Sequence, residues 1–325
     1  MQNKSIYLAG KHQLKTINRN LVIEDDEVLV KTTQASICDA DLRAWSGMFM
    51  PDDLPSFAYI GHEGGGEVVE VGTKVKEFVV GDKVMGFGPL NTFAEYFKGK
   101  EQNLFKIPYG LDMEIASLGE PTCVGVYGVF QSGVQLGDTV LVAGLNYQGL
   151  IAVQGLKKRG ADKVIAIDYS DAHLQLAEQL GADIAINSTV NDVRKEVFEI
   201  TSGHGADVTY HSCGYWNPYT EEYFDICIDL TRDEGIMNSI PDIMSPIKVN
   251  LHRLHHHAID IRFSAVMHHG PEYLKRWVPY LMRPVIQGVF DIKSLITASY
   301  SLDQVDQAMK DFSEDKDHVK IVLQP

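Results

Sequence analysis

Cysteine is sparse in this chain. Cys38, Cys123, Cys213 and Cys227 are scattered through 325 residues, which gives no basis for a disulfide framework. No apolar export segment follows Met1-Gln2-Asn3-Lys4, so the expected location is a reducing cytoplasm. Nor does any run approach the roughly 20 apolar residues of a membrane span, and no membrane partner is expected. Basic residues are in deficit, 29 against 44 acidic ones, for a formal charge of −15. A phosphate backbone demands a basic face, so nucleic acid is excluded as a partner and the acidity serves solubility. Internal repeats and low-complexity tracts are missing too. What is present is 45% hydrophobic residues, enough to bury one or two domains without cross-links.

Residues 1 to about 125 alternate short β-branched runs with glycine and proline punctuation, as in Glu67-Val68-Val69-Glu70-Val71-Gly72 and Lys83-Val84-Met85-Gly86-Phe87-Gly88. This is a strand-rich, barrel-like pattern. From Thr139 the rhythm changes to an apolar strand, Thr139-Val140-Leu141-Val142-Ala143, then a glycine turn and a helix to Gly160. A second strand over residues 163–167 and a helix over 170–180 follow, giving βαβ organisation and a parallel sheet. Further strands are expected at 208–211, near 235–239 and at 259–266. An amphipathic helix over 271–282, another over 302–312 and a closing strand over 319–323 complete the reading.

Gly144-Leu145-Asn146-Tyr147-Gln148-Gly149 sits between the first of these strands and its helix, the setting of a dinucleotide fingerprint. Asn146 replaces the middle glycine, whose role is to let the backbone approach a pyrophosphate. Asn tolerates left-handed turn geometry better than most residues. Amides from Tyr147 to Gly149 at the helix start are then expected to face phosphate. Asp168 ends the second strand 24 positions after Gly144, where an acidic residue accepts from the adenosine ribose diol. A carboxylate there repels a 2′-phosphate, and no arginine follows, so NAD is preferred over NADP. Cys213-Gly214 ends another strand and is expected to line the nucleotide cleft.

Gly61-His62-Glu63-Gly64-Gly65-Gly66 sets an imidazole beside a carboxylate in a glycine run, with Cys38 upstream and Glu120 far downstream. Soft, borderline and hard donors together suit Zn²⁺, and three firm ligands leave one position for water or substrate. An isolated His-Glu pair is more often an ordinary turn. Here the pair is one of several blocks: Ser36-Ile37-Cys38-Asp39-Ala40-Asp41, Val79-Val80-Gly81-Asp82-Lys83-Val84, Phe93-Ala94-Glu95-Tyr96 and Gly119-Glu120-Pro121. In this order, and spanning nearly the whole chain, they resemble the zinc-dependent medium-chain dehydrogenase/reductase superfamily.

That resemblance implies an α/β protein made of a GroES-like β-rich catalytic domain, residues 1–125 and 267–325, and a Rossmann doubly wound parallel sheet domain, residues 126–266. The active site is expected in the cleft between them. It implies Cys38 and His62 as metal ligands, Glu120 at the place of the third, Glu63 adjacent or exchangeable with it, and Asp41 orienting a ligand. One catalytic zinc is expected and no structural zinc, because the chain runs from Gly88 directly into Pro89-Leu90-Asn91-Thr92-Phe93 without the family's four clustered cysteines. Cys123, Cys213 and Cys227 then read as buried small residues. The family's proton relay is altered, since Ala40 has no hydroxyl and Arg43 stands where a histidine is usual. The Ala-Asp-x-Arg arrangement resembles the ribulose-5-phosphate reductases of the superfamily, so Arg43 is a candidate for holding an anionic group.

The implied activity is hydride transfer between NAD(H) and a secondary alcohol or ketone, most readily a polyol, sugar or sugar phosphate. The alternative is a zinc-free quinone-reductase-like or non-catalytic nucleotide-binding member of the same fold. A homodimer or homotetramer is usual in the family. Trp45, Phe49 and Tyr59 do not translate into one sugar. The histidines from His252 to His257 cannot all face one ion and are read as a surface or subunit-contact helix, with one or two members near the substrate cleft as the alternative. The resemblance puts His268 and His269 close to the nicotinamide, and neither group is counted among the metal ligands.

Overall fold

The computed structural model describes residues 2–48, 58–88, 90–214, 216–243 and 246–325, without the side chains of residues 58, 59 and 268. Phe49 and the side chains of Tyr59 and His268 therefore lie outside the described residues. The chain divides into two compact units, one of Met1–Pro121, Gly270–Met282 and Ile292–Pro325, the other of Thr122–His269 and Arg283–Asp291.

In the first unit the largest sheet runs Ala298–Ser301, Ile321–Gln324, Glu27–Ser36, Glu63–Val71, Lys83–Gly86, Leu104–Lys106, with Tyr96–Lys100 also paired to Glu27–Ser36. Alternating valines of the central strands face inward, and Val28, Val30, Val68, Phe78, Val84, Leu90, Phe97 and Leu104 form a buried cluster. The glycine run exists because neighbouring strands come too close for side chains. A Cβ on Gly66 would lie 1.9 Å from the Lys31 carbonyl oxygen, while Gly61 (φ +83) would strike the Phe93 ring. The register sets Ser36 opposite Glu63 and Val322 opposite Ser36. Residues from both ends of the chain are thereby brought to one point.

The second unit is a six-stranded, wholly parallel sheet: Ile184–Asn187, Lys163–Asp168, Thr139–Ala143, Ala206–His211, Thr231–Ser239, Asp260–Phe263. Counted along the chain this is order 3-2-1-4-5-6, the doubly wound arrangement whose first strand carries the phosphate-binding turn. The strand Ile184–Asn187 and the helix Val193–Ile200 were not anticipated. The strand is four residues long at the sheet edge and half-buried, so it lacks the unbroken apolar run that marks its neighbours. The strand expected to reach residue 266 stops at Phe263, and Val266–His269 is a 3-10 turn.

Candidate metal centre and nucleotide turn

Cys38 stands at the N-cap position of the short helix Asp39–Trp45, Glu63 opens the strand Glu63–Val71 and His62 immediately precedes it. One donor atom from each of Cys38, His62 and Glu63 falls within 4.8 Å of the others, the one such group of three among the described residues. Asp41 ties the two segments together. Its Oδ1 accepts from the Gly61 amide at 2.9 Å and its Oδ2 from the Cys38 amide at 3.0 Å, while the His62 Nδ1 lies 3.6 Å from Oδ1. A single carboxylate thus holds the backbones that carry the thiol and the imidazole. Glu120, in the first turn of the helix Gly119–Gln131, is buried but is not one of the close trio. Asp39, Ala40 and Arg43 are half-buried on the helix that Cys38 opens.

Glu63 carries two surprises. Its Oε2 accepts from the Lys320 ammonium at 2.6 Å, an ion pair with both side chains almost wholly buried, and from the Ser36 hydroxyl. Its Oε1 is buried with no hydrogen-bond partner. A buried carboxylate oxygen without a partner costs free energy. Glu63 offers one carboxylate oxygen within 4.8 Å of a thiol and an imidazole, a donor set that fits a divalent zinc ion.

The electrostatics of the cluster agree. Burial pushes the Cys38 thiol up to about 11, the Glu63 charge adding to it and the His62 ring opposing. Burial disfavours a charged His62, but the Asp41 carboxylate and the Cys38 sulfur outweigh it and hold the ring well above its ordinary value. Burial and then the Glu63 charge push Glu120 to about 7. Burial opposes ionisation of Asp41, yet His62 and the two amides bring it below the ordinary carboxylate value. Left alone, the cluster keeps protons on sulfur and nitrogen, and a divalent cation must displace them to bind.

In the second unit, Gly144 (φ +90) packs so tightly on Cys213 that a Cβ would lie 2.3 Å from the sulfur, and a Cβ on Gly149 would lie 2.0 Å from the Gly144 carbonyl oxygen. Asn146 corrects the expectation of a left-handed turn residue. Its φ is −63 with extended ψ, and it caps the helix Tyr147–Lys158 by accepting from the Gly149 amide at 3.0 Å. The Ser212 hydroxyl donates to the same side-chain oxygen at 2.7 Å. The Gly149 amide, expected to face phosphate, is therefore used inside the turn; Tyr147 is buried and Gln148 half-buried in the same helix turn. Asp168 is buried and accepts from the Leu145 amide at 2.7 Å and the Ser170 amide at 2.9 Å. Cys213 is fully buried beneath Gly144, and the Gly214 carbonyl accepts from the Thr220 hydroxyl at 2.6 Å.

With this geometry in view, the comparisons with known proteins are direct. Residues 24–140 match the alcohol dehydrogenase GroES-like domain and residues 149–280 the zinc-binding dehydrogenase family. A (R,R)-butanediol dehydrogenase of Bacillus subtilis is 30% identical, covering 93% of each chain. The chain belongs to the zinc-type medium-chain dehydrogenase superfamily. A D-arabitol-phosphate dehydrogenase of Enterococcus avium is 26% identical over 92% of this dehydrogenase and 90% of its own length. The crystal structure of 2R,3R-butanediol dehydrogenase from Bacillus subtilis superposes with a TM-score of 0.84 at 25% identity over 99% of both chains.

Sequence reasoning did not find several residues that the structure places at these two candidate sites. Lys320 and Ser36 pair with Glu63 only because three strands share a register, although a lone lysine opening the apolar run Ile321-Val322-Leu323 is itself unusual and gave a signal. Ser212 was missed as the partner of Asn146. His173 is buried, has no hydrogen-bond partner on either ring nitrogen, and brings Nδ1 to 3.6 Å from Asp168. The three cysteines read as structural, Cys123, Cys213 and Cys227, are all buried, and none of them forms a disulfide among the described residues. Among the described residues no helix is long and apolar enough to cross a membrane.

Proposed function

We propose that this dehydrogenase uses one zinc ion and NAD(H) to interconvert a secondary alcohol and its ketone on a polyol, sugar or sugar phosphate. The observation that carries the reading is the Cys38–His62–Glu63 donor trio with its unpartnered Glu63 Oε1. Cys38, His62 and Glu63 would hold the ion, with Glu120 as the carboxylate held in reserve nearby. When bound, zinc supplies Lewis acidity toward the substrate oxygen, and the nicotinamide supplies the hydride acceptor or donor.

The chain's own residues then do the following work. Asp41 keeps the Cys38 and Gly61 backbones, and so the thiol and imidazole, in place. Lys320 and Ser36 occupy Glu63 Oε2 and leave Oε1 as the oxygen that meets the ion. Ala40 offers no hydroxyl for a relay, so the substrate proton needs another carrier. Burial raises the half-buried Asp39 carboxyl, which Lys320 and Arg43 partly offset, and Asp39 is the group on this helix that can carry a proton in place of the missing hydroxyl. Arg43 supports an anionic substrate group because its planar fork fits oxyanions. Asp168 supports NAD: its oxygens retain lone pairs for ribose hydroxyls beyond the two amides, and its charge opposes a 2′-phosphate.

The relatives point the same way, one named for a vicinal diol and the other for a polyol phosphate. A zinc-free quinone reductase of this fold has no use for the donor trio. The test is to supply NAD⁺ with a panel of sugar alcohols, their phosphates and simple secondary alcohols and to follow NADH. Turnover of at least one polyol-class substrate, abolished by a chelator and restored by zinc, is expected. Chelator-indifferent turnover, or turnover with NADP⁺ alone, contradicts the proposal.

A further inference from the structure

We propose that His252 and His256 form a surface chelate for a divalent transition-metal ion, carried on the second unit and independent of the Cys38–His62–Glu63 trio. The two histidines stand four residues apart on the helix Leu251–His256, a spacing that stacks side chains on one helix face. Both are exposed, and their ring centroids are 4.1 Å apart at 40°. Neither ring makes a hydrogen bond among the described residues. His255, also exposed, sets its ring edge-on to His256 at 5.5 Å.

The helix that presents this pair is held from its other side. Asn250 caps it by accepting from the Arg253 amide at 3.1 Å, and the Arg253 guanidinium donates to the carbonyls of Asp229 at 3.0 Å and Thr231 at 2.9 Å. Leu254 packs into the sheet core. The outward rings therefore ride on an anchored turn, so little backbone ordering is left for a ligand to impose. Two imidazoles at this separation repel when both are protonated and bridge well when a cation replaces the protons.

Imidazole selects Cu²⁺, Ni²⁺ and Zn²⁺ over Ca²⁺ or Mg²⁺, with Cu²⁺ strongest. The described residues bring no third protein donor within reach of the pair. Water completes the coordination, and the bound ion exchanges readily, unlike one enclosed by three protein ligands.

The test is calorimetric titration of the zinc-loaded full chain with Ni²⁺. One Ni²⁺ per chain is expected at micromolar affinity. His252→Ala and His256→Ala should each weaken it at least tenfold, about 1.4 kcal/mol. His255→Ala and Cys38→Ala should leave it within about threefold of the parent, less than 0.7 kcal/mol or so. Both histidines of the pair are exposed, so their truncation leaves the fold intact, and unchanged circular dichroism verifies this. Absence of Ni²⁺ binding in the parent chain overturns the proposal. So does undiminished binding in both single variants, or loss confined to His255→Ala or Cys38→Ala.

Discussion

The nucleotide turn takes Gly144, the Leu145 amide, Asn146 and Gly149 from six consecutive residues, and borrows Asp168 and Ser212 from the next strands of the same sheet. The candidate metal cluster instead joins Ser36, Cys38, Glu63 and Lys320, positions spread across almost the whole chain. In the turn, a departure from the glycine fingerprint is absorbed locally: Asn146 supplies a helix cap where the glycine had supplied clearance. In the cluster, every charged member is buried against another charged member. A change at one position there leaves a second one without its partner, so the two regions should differ sharply in their tolerance of substitution.

The largest effect should come from Cys38→Ala. Losing the thiolate should release the tightly held zinc and lower turnover by about a thousandfold or more, since metal assistance is worth several kcal/mol. NADH binding, followed by its fluorescence, should stay near the parent value. If nucleotide binding fell in parallel, the two regions would not be separable and the comparison would break.

Next comes Lys320→Met, which strands the Glu63 carboxylate in a buried site. A stability loss of about 3–5 kcal/mol is expected in denaturant unfolding. The double variant Glu63→Gln/Lys320→Met should recover a large part of it, because both charges are then gone. A loss no greater than that of an exposed pair would show that Lys320 is not the counter-charge of Glu63.

Glu120→Gln should act with a pH signature. The folded carboxyl, pushed to about 7 by burial and by Glu63, lies above its unfolded value. Between the ordinary carboxylate value and about 7, the metal-free native state binds more protons than the unfolded chain, so its stability falls as pH rises through that window. The variant should therefore match the parent at low pH and exceed it above neutrality, by on the order of 1–3 kcal/mol. Parallel pH curves for the two metal-free proteins would remove Glu120 from the cluster's electrostatics.

The smallest effect belongs to the turn. Asn146→Ala should lose about 1 kcal/mol of cap stabilisation, and Asn146→Gly only a few tenths. A loss in either as large as that of Lys320→Met would erase the contrast between a locally satisfied departure and a network of buried charges.

How much of this was legible in the sequence follows the same division. The first strand of the nucleotide sheet was read at its observed bounds, Thr139–Ala143, because its apolar run and the glycine after it are adjacent signals. Gly144, Asn146, Cys38 and His62 were singled out from motifs a few residues long, and Asp168 from its place at the end of the second strand, 24 positions after Gly144. The capping role of Asn146 was misread as left-handed backbone, because a sequence shows the missing glycine and not the φ of its replacement. Lys320 stayed hidden for a different reason: its partner lies 257 positions away (320 − 63), and only the pairing of Val322 with Ser36 and of Ser36 with Glu63 brings them together. The edge strand Ile184–Asn187 escaped because half-buried four-residue strands carry little periodicity.

The most direct measurement is the metal content of the purified full chain after zinc loading and exhaustive dialysis, made on the parent, Cys38→Ala and Glu63→Ala side by side. The account predicts one dialysis-resistant zinc per chain in the parent and its loss from both variants, with NAD⁺-linked turnover falling in step. A parent chain that retains no zinc after loading, or variants that retain it in full, would contradict the assignment of the cluster as the metal centre.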